Sequence, residues 1–355
     1  MKSKKIRKNI IKWIIILGLL AFGFIKNREF MHEAFLEIKH TPVKVLAACF
    51  LLANLFFIAE GAIISCMTKS KDKKRLSLLE GISCTYMCAF YRLATLGSGN
   101  GIAQIYYYNT KGIDVSEGTG MAITQYTFQK ITIGIMGIIS YILLILRGNK
   151  ALMKYSWLML AGVLVISFIC GFLFIITVSK TISKFVIAIA RKIIKKESRL
   201  QKKIDKLEAA VNALQTQGRI MWHDKKLFIT VVVLDILKLS CWYVIPGVLF
   251  SKNFGLNPFM CLSLMAVCNM LGCVMVAPSG IGTLDFVFAL LFKTVVRSGK
   301  AIAAAIVIYR FFTWVVPFII GLIPAAFLNN KRDKEDSLVN LKETDSDGIK
   351  KTDKE

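Results

Sequence analysis

Apolar residues gather into runs at about 10–25, 43–67, 81–96, 121–146, 155–178, 227–250, 258–277, 284–296 and 301–328. A bilayer core about 30 Å thick takes roughly 20 apolar residues in one helix, and Leu158–Val178 meets that length without a charge. Only helices or closed barrels satisfy the backbone in lipid. The chain therefore reads as all-α, a polytopic membrane helix bundle. Three of the runs are too short or too interrupted to be ordinary spans, so the charges between them must decide which ones cross.

Basic residues concentrate at the N-terminus, at Lys69–Arg75, between Lys180 and Lys226, and at Lys331-Arg332. Such blocks stay on the cytoplasmic side. Run 155–178 then ends inside, loop 147–154 is outside, run 121–146 starts inside, and residues 109–120 are cytoplasmic. Both ends of the stretch 81–108 thus lie on one side, which predicts a re-entrant hairpin. The same count puts 251–257 and 297–300 outside, so runs 258–277 and 284–296 form a second hairpin from the opposite face. The expectation is about six crossings plus two opposed re-entrant helical hairpins, an arrangement that admits an inverted repeat. Each hairpin has a Gly-rich apex, with Gly97, Gly99 and Gly101 in the first and Pro278, Gly280 and Gly282 in the second. The plainer alternative makes each apex a surface loop between full spans.

Residues 1–328 read as one membrane domain. From Ile182 to Leu214 apolar residues recur at three-and-four spacing with Lys and Arg between them, which predicts a cytoplasmic amphipathic helix over about 180–217. The tail 329–355 is charged and poor in large apolar residues, and is expected to be disordered. The N-terminus has a basic head and an apolar run but no small-x-small cleavage site after it, so it reads as a retained first span. Both termini are then cytoplasmic, in a multi-pass protein of the cell membrane.

Composition agrees: 55% of the 355 residues are hydrophobic and mean hydropathy is +0.58. The formal net charge of +25 sits in blocks between apolar runs, which suits an anionic membrane surface better than nucleic acid. The nine cysteines lie almost entirely within apolar runs and read as packing residues. His32, His40 and His223 are scattered and Cys84-x-x-x-Cys88 stands alone, so neither a metal nor another cofactor is expected. A Ser or Cys nucleophile beside a His, a nucleophile elbow and a phosphate loop are all missing from the sequence, and no catalytic residue is assigned.

The candidate chemistry lies in charges inside or at the edges of apolar runs: Glu60, Arg92, Lys130, Asp235, Lys238, Asp285, Lys293 and Arg310. A charge near the bilayer centre costs at least about 2.5–3.5 kcal/mol, so each needs a partner or a wet cavity. Asp235 and Lys238, three apart on a helix, can neutralise each other. Arg92 precedes the first apex and Arg310 sits in the last span, where guanidinium forks could hold a phosphate. The alternative is that both pair with Glu60, Asp235 or Asp285.

Three stretches carry a resemblance. Tyr91-Arg92-Leu93-Ala94-Thr95 through Gln104-Ile105-Tyr106-Tyr107-Tyr108, then Ala277-Pro278-Ser279-Gly280-Ile281-Gly282-Thr283-Leu284-Asp285, and Tyr309-Arg310 together resemble the lysylphosphatidylglycerol synthase transmembrane-region family. That family commonly has Pro after the first Thr and a Gly-Gly-Gln-Pro run, where this chain has Leu96 and Gly99-Asn100-Gly101. The resemblance implies a membrane region like that of multiple peptide resistance factors. There, a membrane part flips a lysylated lipid and a cytosolic domain transfers lysine from lysyl-tRNA to phosphatidylglycerol.

The leading expectation is binding and flipping of an anionic or aminoacylated phospholipid, or of a lipid-linked intermediate. Arg92, Lys130 and Arg310 would face the head group, with Asp285, Gln104, Asp235, Lys238 and Glu60 around it. The partner would be phosphatidylglycerol or its lysyl derivative, and a homo-oligomer is admitted. Two alternatives stay open: a phosphatidylglycerol lysyltransferase, which would also bind lysyl-tRNA, and a non-catalytic membrane scaffold acting through the amphipathic helix.

Overall fold

The computed structural model describes residues 36, 39–68, 76–95, 97, 99–147, 156–178, 188, 198–274 and 282–328, and among these the regular structure is entirely helical. Pro42 caps α1 (Val43–Met67) with a backbone already suited to helix entry. α2 (Leu78–Ala94) opens on a capping box, in which Glu80 N donates to Ser77 Oγ at 3.2 Å and Ser77 N donates to the Glu80 carboxylate at 2.8 Å. There follow α3 (Asn100–Thr110), α4 (Val115–Leu146), α5 (Ser156–Val178), α6 (Ser198–His223), α7 (Lys225–Tyr243), α8 (Ile245–Phe254), α9 (Pro258–Val274) and α10 (Thr283–Phe292). α11 (Gly299–Arg310) continues through a π-helical turn at Phe311–Val315, and the helix runs on to Leu328.

Four stretches are long and apolar enough to cross a membrane: Val43–Met67, Val115–Leu146, Lys225–Ser251 and Gly299–Leu328. They coincide with four of the six crossings read from the sequence, and α5 occupies the run of a fifth. The run at 10–25 and the tail lie outside the described residues, as do Pro278 and Gly280 of the second apex.

One leg of each Gly-rich pair is short. α3 has 11 residues and α10 has 10, so they rise about 16 and 15 Å, half the hydrocarbon thickness. Ile63 and Met67 at the end of α1 cluster with Met221 of α6, Phe128 of α4 and Val231 of α7, which defines one end of the bundle. The α2–α3 pair opens toward this end, between the close of α1 and the start of α4. The α9–α10 pair opens toward the other end, where Arg147 after α4 lies over the Phe259 ring at 4.7 Å. The two pairs enter from opposite ends, as the charge count predicts.

Lipid is as apolar as leucine, so helices in a membrane associate by close packing rather than by hydrophobic burial. α1 and α2 show the consequence. A Cβ on Gly81 would stand 2.2 Å from the Gly61 carbonyl oxygen, so the crossing demands glycine on both sides. Beside it, Phe56 stacks on Trp242 of α7 at 3.7 Å and Phe57 on Tyr86 of α2 at 4.8 Å. The other face of α1 exposes Leu51, Leu55 and Ile58, as a lipid-facing stripe would. α6 packs on the first turns of α4, where a Cβ on Gly120 would meet the Ala213 carbonyl oxygen at 2.6 Å.

Candidate functional site

The first break is built by the backbone. Gly97 takes φ 99°, which a side chain would strain, and its N–H donates to the Arg92 carbonyl at 2.7 Å. Thr95 Oγ1 donates to the Tyr91 carbonyl at 2.7 Å and accepts from Gly99 N at 2.6 Å. Gly99 packs against Thr95, whereas Gly101 faces open space. α3 then starts at Gly99 without a side-chain cap, leaving its first N–H groups and the positive end of its dipole beside Arg92. At the mouth of the hairpin, Lys111 donates to Glu80 at 2.7 Å. That hydrogen bond, with one from Ser77 N, holds the Glu80 carboxyl below the usual range.

Beneath the apex lies a cavity lined by residues that include Phe56, Glu60, Cys88, Arg92, Asn100 and Gln104. Three of the residues singled out in the sequence, Glu60, Arg92 and Gln104, thus share one wall. Glu60 anchors a chain of polar contacts. One carboxylate oxygen accepts from Gln125 Nε2 at 2.7 Å, and the other accepts from the Lys238 ammonium. Lys238 is fully buried, also pairs with Asp235 at 2.5 Å, and lies over the Phe56 ring at 5.7 Å. On the other side, Gln104 Nε2 donates to Gln125 Oε1 at 2.7 Å and to Tyr108 Oη at 2.8 Å. Asp235 and Lys238 do pair, and Glu60 turns the pair into a triad.

Arg92 and Arg310 converge on one ring, their guanidinium carbons 5.4 and 4.5 Å from the Trp314 centroid. Their partners differ. Arg310 forks onto Asp285, with Nε to Oδ1 at 2.7 Å and Nη2 to Oδ2 at 3.1 Å, and Asp285 also accepts from Gly282 N at 3.1 Å. Gly282 itself has φ 83°. Among the described residues, Arg92 makes no ion pair or side-chain hydrogen bond. Two guanidiniums face one indole, and among the described residues only Arg310 has a carboxylate partner.

Lys130 lies outside this cavity. Its ammonium donates to Cys273 Sγ at 3.2 Å in the last turn of α9, and sits 5.2 Å from the Tyr126 ring. Lys293 caps the exposed end of α10. Sequence reasoning missed Gln125, Asn100, Tyr108 and Trp314. A signal existed for two of them: Gln125 is a polar amide inside an apolar run, and Trp314 stands four residues after Arg310, on the same helical face. A π-turn immediately after Arg310 marks the same place, since such turns recur at functional sites.

The arrangement can hold an anion. A guanidinium, an uncapped helix start and the Asn100 amide line or adjoin one cavity in a low-dielectric setting, where charge-assisted contacts are strongest. No curated protein matches the sequence. The family model described as the lysylphosphatidylglycerol synthase TM region matches residues 9–321. With opposed helix pairs, a buried charge network and a match over nearly its whole length, the chain is a multi-pass membrane protein that belongs to the lysylphosphatidylglycerol synthase transmembrane-region family.

Proposed function

We propose that this protein binds the anionic head group of a phospholipid in the cavity beneath the first hairpin and moves that lipid across the cell membrane. The observation that carries the reading is Arg92: a cation beside an uncapped helix start, on the rim of a cavity, with no carboxylate partner among the described residues. A guanidinium without a direct ion pair keeps its fork open to an anion, and a phosphate fits that fork. Trp314 holds the fork from behind, and Arg310, fixed by Asp285, holds Trp314. Phosphatidylglycerol fits both the site and the family description, and its lysyl derivative, though cationic overall, presents the same phosphate to the guanidinium fork. The termini and α6 are cytoplasmic in this reading, with the basic stretch around α6 against the anionic leaflet.

The test is reconstitution into vesicles that carry a fluorescent phosphatidylglycerol, with a membrane-impermeant quencher reporting on its outer-leaflet fraction. The purified protein should make the whole lipid pool accessible, and accessibility limited to one leaflet would sink the reading. The family description also favours a second reading, lysyl transfer to phosphatidylglycerol. Chromatography of lipids from cells that lack lysylated lipid decides it: expression of this chain would then produce a new lysylated species.

A further inference from the structure

Among the described residues, the charges around the cavity balance. Glu60 and Asp235 supply two carboxylates, and Lys238 sits between them as one ammonium. Arg92, on the same cavity wall as Glu60, supplies the second cation, so the four groups are neutral together. From α2, Cys84 and Cys88 also face this region, and Tyr108 comes from α3. α4 contributes the amides Gln125 and Gln129, while its Lys130 turns to Cys273. α9 carries no charged residue, α8 has its single one, Lys252, in its last turn, and α6 meets the start of α7.

An anion at Arg92 breaks that balance. Its charge would be added to the negative pair behind Glu60, in surroundings that screen poorly. Gaining a cation would restore the balance, and the most mobile one is a proton. The route is present: Glu60 lines the cavity and retains some solvent exposure, whereas Asp235 is sealed. Gln104 and Gln125 join the hairpin to the carboxylate. A proton entering from the cavity adds to one carboxylate of the pair, and the two titrate together because both interact with one ammonium.

We propose that binding of an anionic head group at Arg92 is coupled to uptake of a proton by the Glu60–Asp235 pair, which makes lipid movement sensitive to the proton gradient. This rests on the head-group reading above. Linkage fixes the size: uptake of about one proton makes binding about tenfold tighter for each pH unit lowered, until the pair is already protonated.

The experiment is calorimetric titration of the purified full chain with a short-chain phosphatidylglycerol, in buffers of different ionisation enthalpy at one pH. The slope of heat against ionisation enthalpy counts protons. The expected slope is about one proton taken up per lipid bound, falling toward zero in Glu60→Gln and in Asp235→Asn. Binding with zero slope in the unmodified protein overturns the coupling while leaving the head-group site standing. No binding at all overturns both. The unmodified protein gives the deciding number, so a variant that fails to fold does not block the test.

Discussion

The two hairpins use the same device to opposite ends. In α9–α10 every charge is spent: Asp285 takes both arms of Arg310 and the Gly282 N–H. Behind it, Phe288 and Phe292 stack at 4.2 Å, with Phe250 and Tyr309 around them. In α2–α3 the break ends in Arg92, which leans on Trp314 above a polar cavity. In the proposed reading the second hairpin is a closed support and the first an open site. Similar Gly-rich segments need not have similar roles; a direct carboxylate partner, present for Arg310 and not for Arg92 among the described residues, separates them.

The largest test is the root of the open site. Lys238→Met leaves Glu60 and Asp235 facing each other without a cation, and should cost about 3–5 kcal/mol of stability. Thermal unfolding in detergent would show it, and Glu60→Gln in the same chain should restore part of the loss. Next is the site itself. Arg92→Gln should weaken head-group binding by about 2–4 kcal/mol, or roughly 30- to 1000-fold, without lowering the amount of protein in the membrane. Calorimetric titration checks the first and membrane immunoblots the second.

The closed side predicts a different signature. Arg310→Ala strands Asp285 and should destabilise the fold by about 2 kcal/mol. Asp285→Asn added to it should recover most of that, because the stranded charge is what hurts. If Arg310→Ala instead left stability untouched and abolished lipid binding, the roles of the two hairpins would have to be exchanged.

The smallest effect belongs to the mouth. Lys111 and Glu80 are each about one third exposed (34% and 31%), so Lys111→Ala should cost less than about 1 kcal/mol. The Glu80 carboxyl is lowered in the fold, so the clamp stabilises fully above the ordinary carboxylate range and is lost as pH falls through the depressed value. Hydrogen exchange at the start of α2 should speed up on acidification in the parent and be flatter in the variant.

Much of this architecture is legible in the sequence. Spans declare themselves because lipid demands long apolar runs, and the opposed hairpins followed from where basic residues can lie. Asp235 and Lys238 were readable as a pair because three-residue spacing shares a helical face. Glu60 joins them only through the packing of α1 on α7, which no local spacing encodes. Arg310 had several carboxylates open to it, and the choice of Asp285 depends on the second hairpin folding back. Gln125 and Trp314 stand out in the sequence only as a polar and an aromatic residue in apolar runs, a signal that names no partner. The sequence also ranked Arg92 and Arg310 alike, whereas the fold gives a counter-ion to one of them.

The central claim is that Arg92 is the head-group anchor, and the most direct measurement compares Arg92→Gln with Lys111→Ala in reconstituted vesicles carrying fluorescent phosphatidylglycerol. Lys111→Ala should scramble the lipid between leaflets at close to the parent rate, while Arg92→Gln should leave about half the lipid sealed inside, as protein-free vesicles do. Parent-like movement with Arg92→Gln would contradict the account.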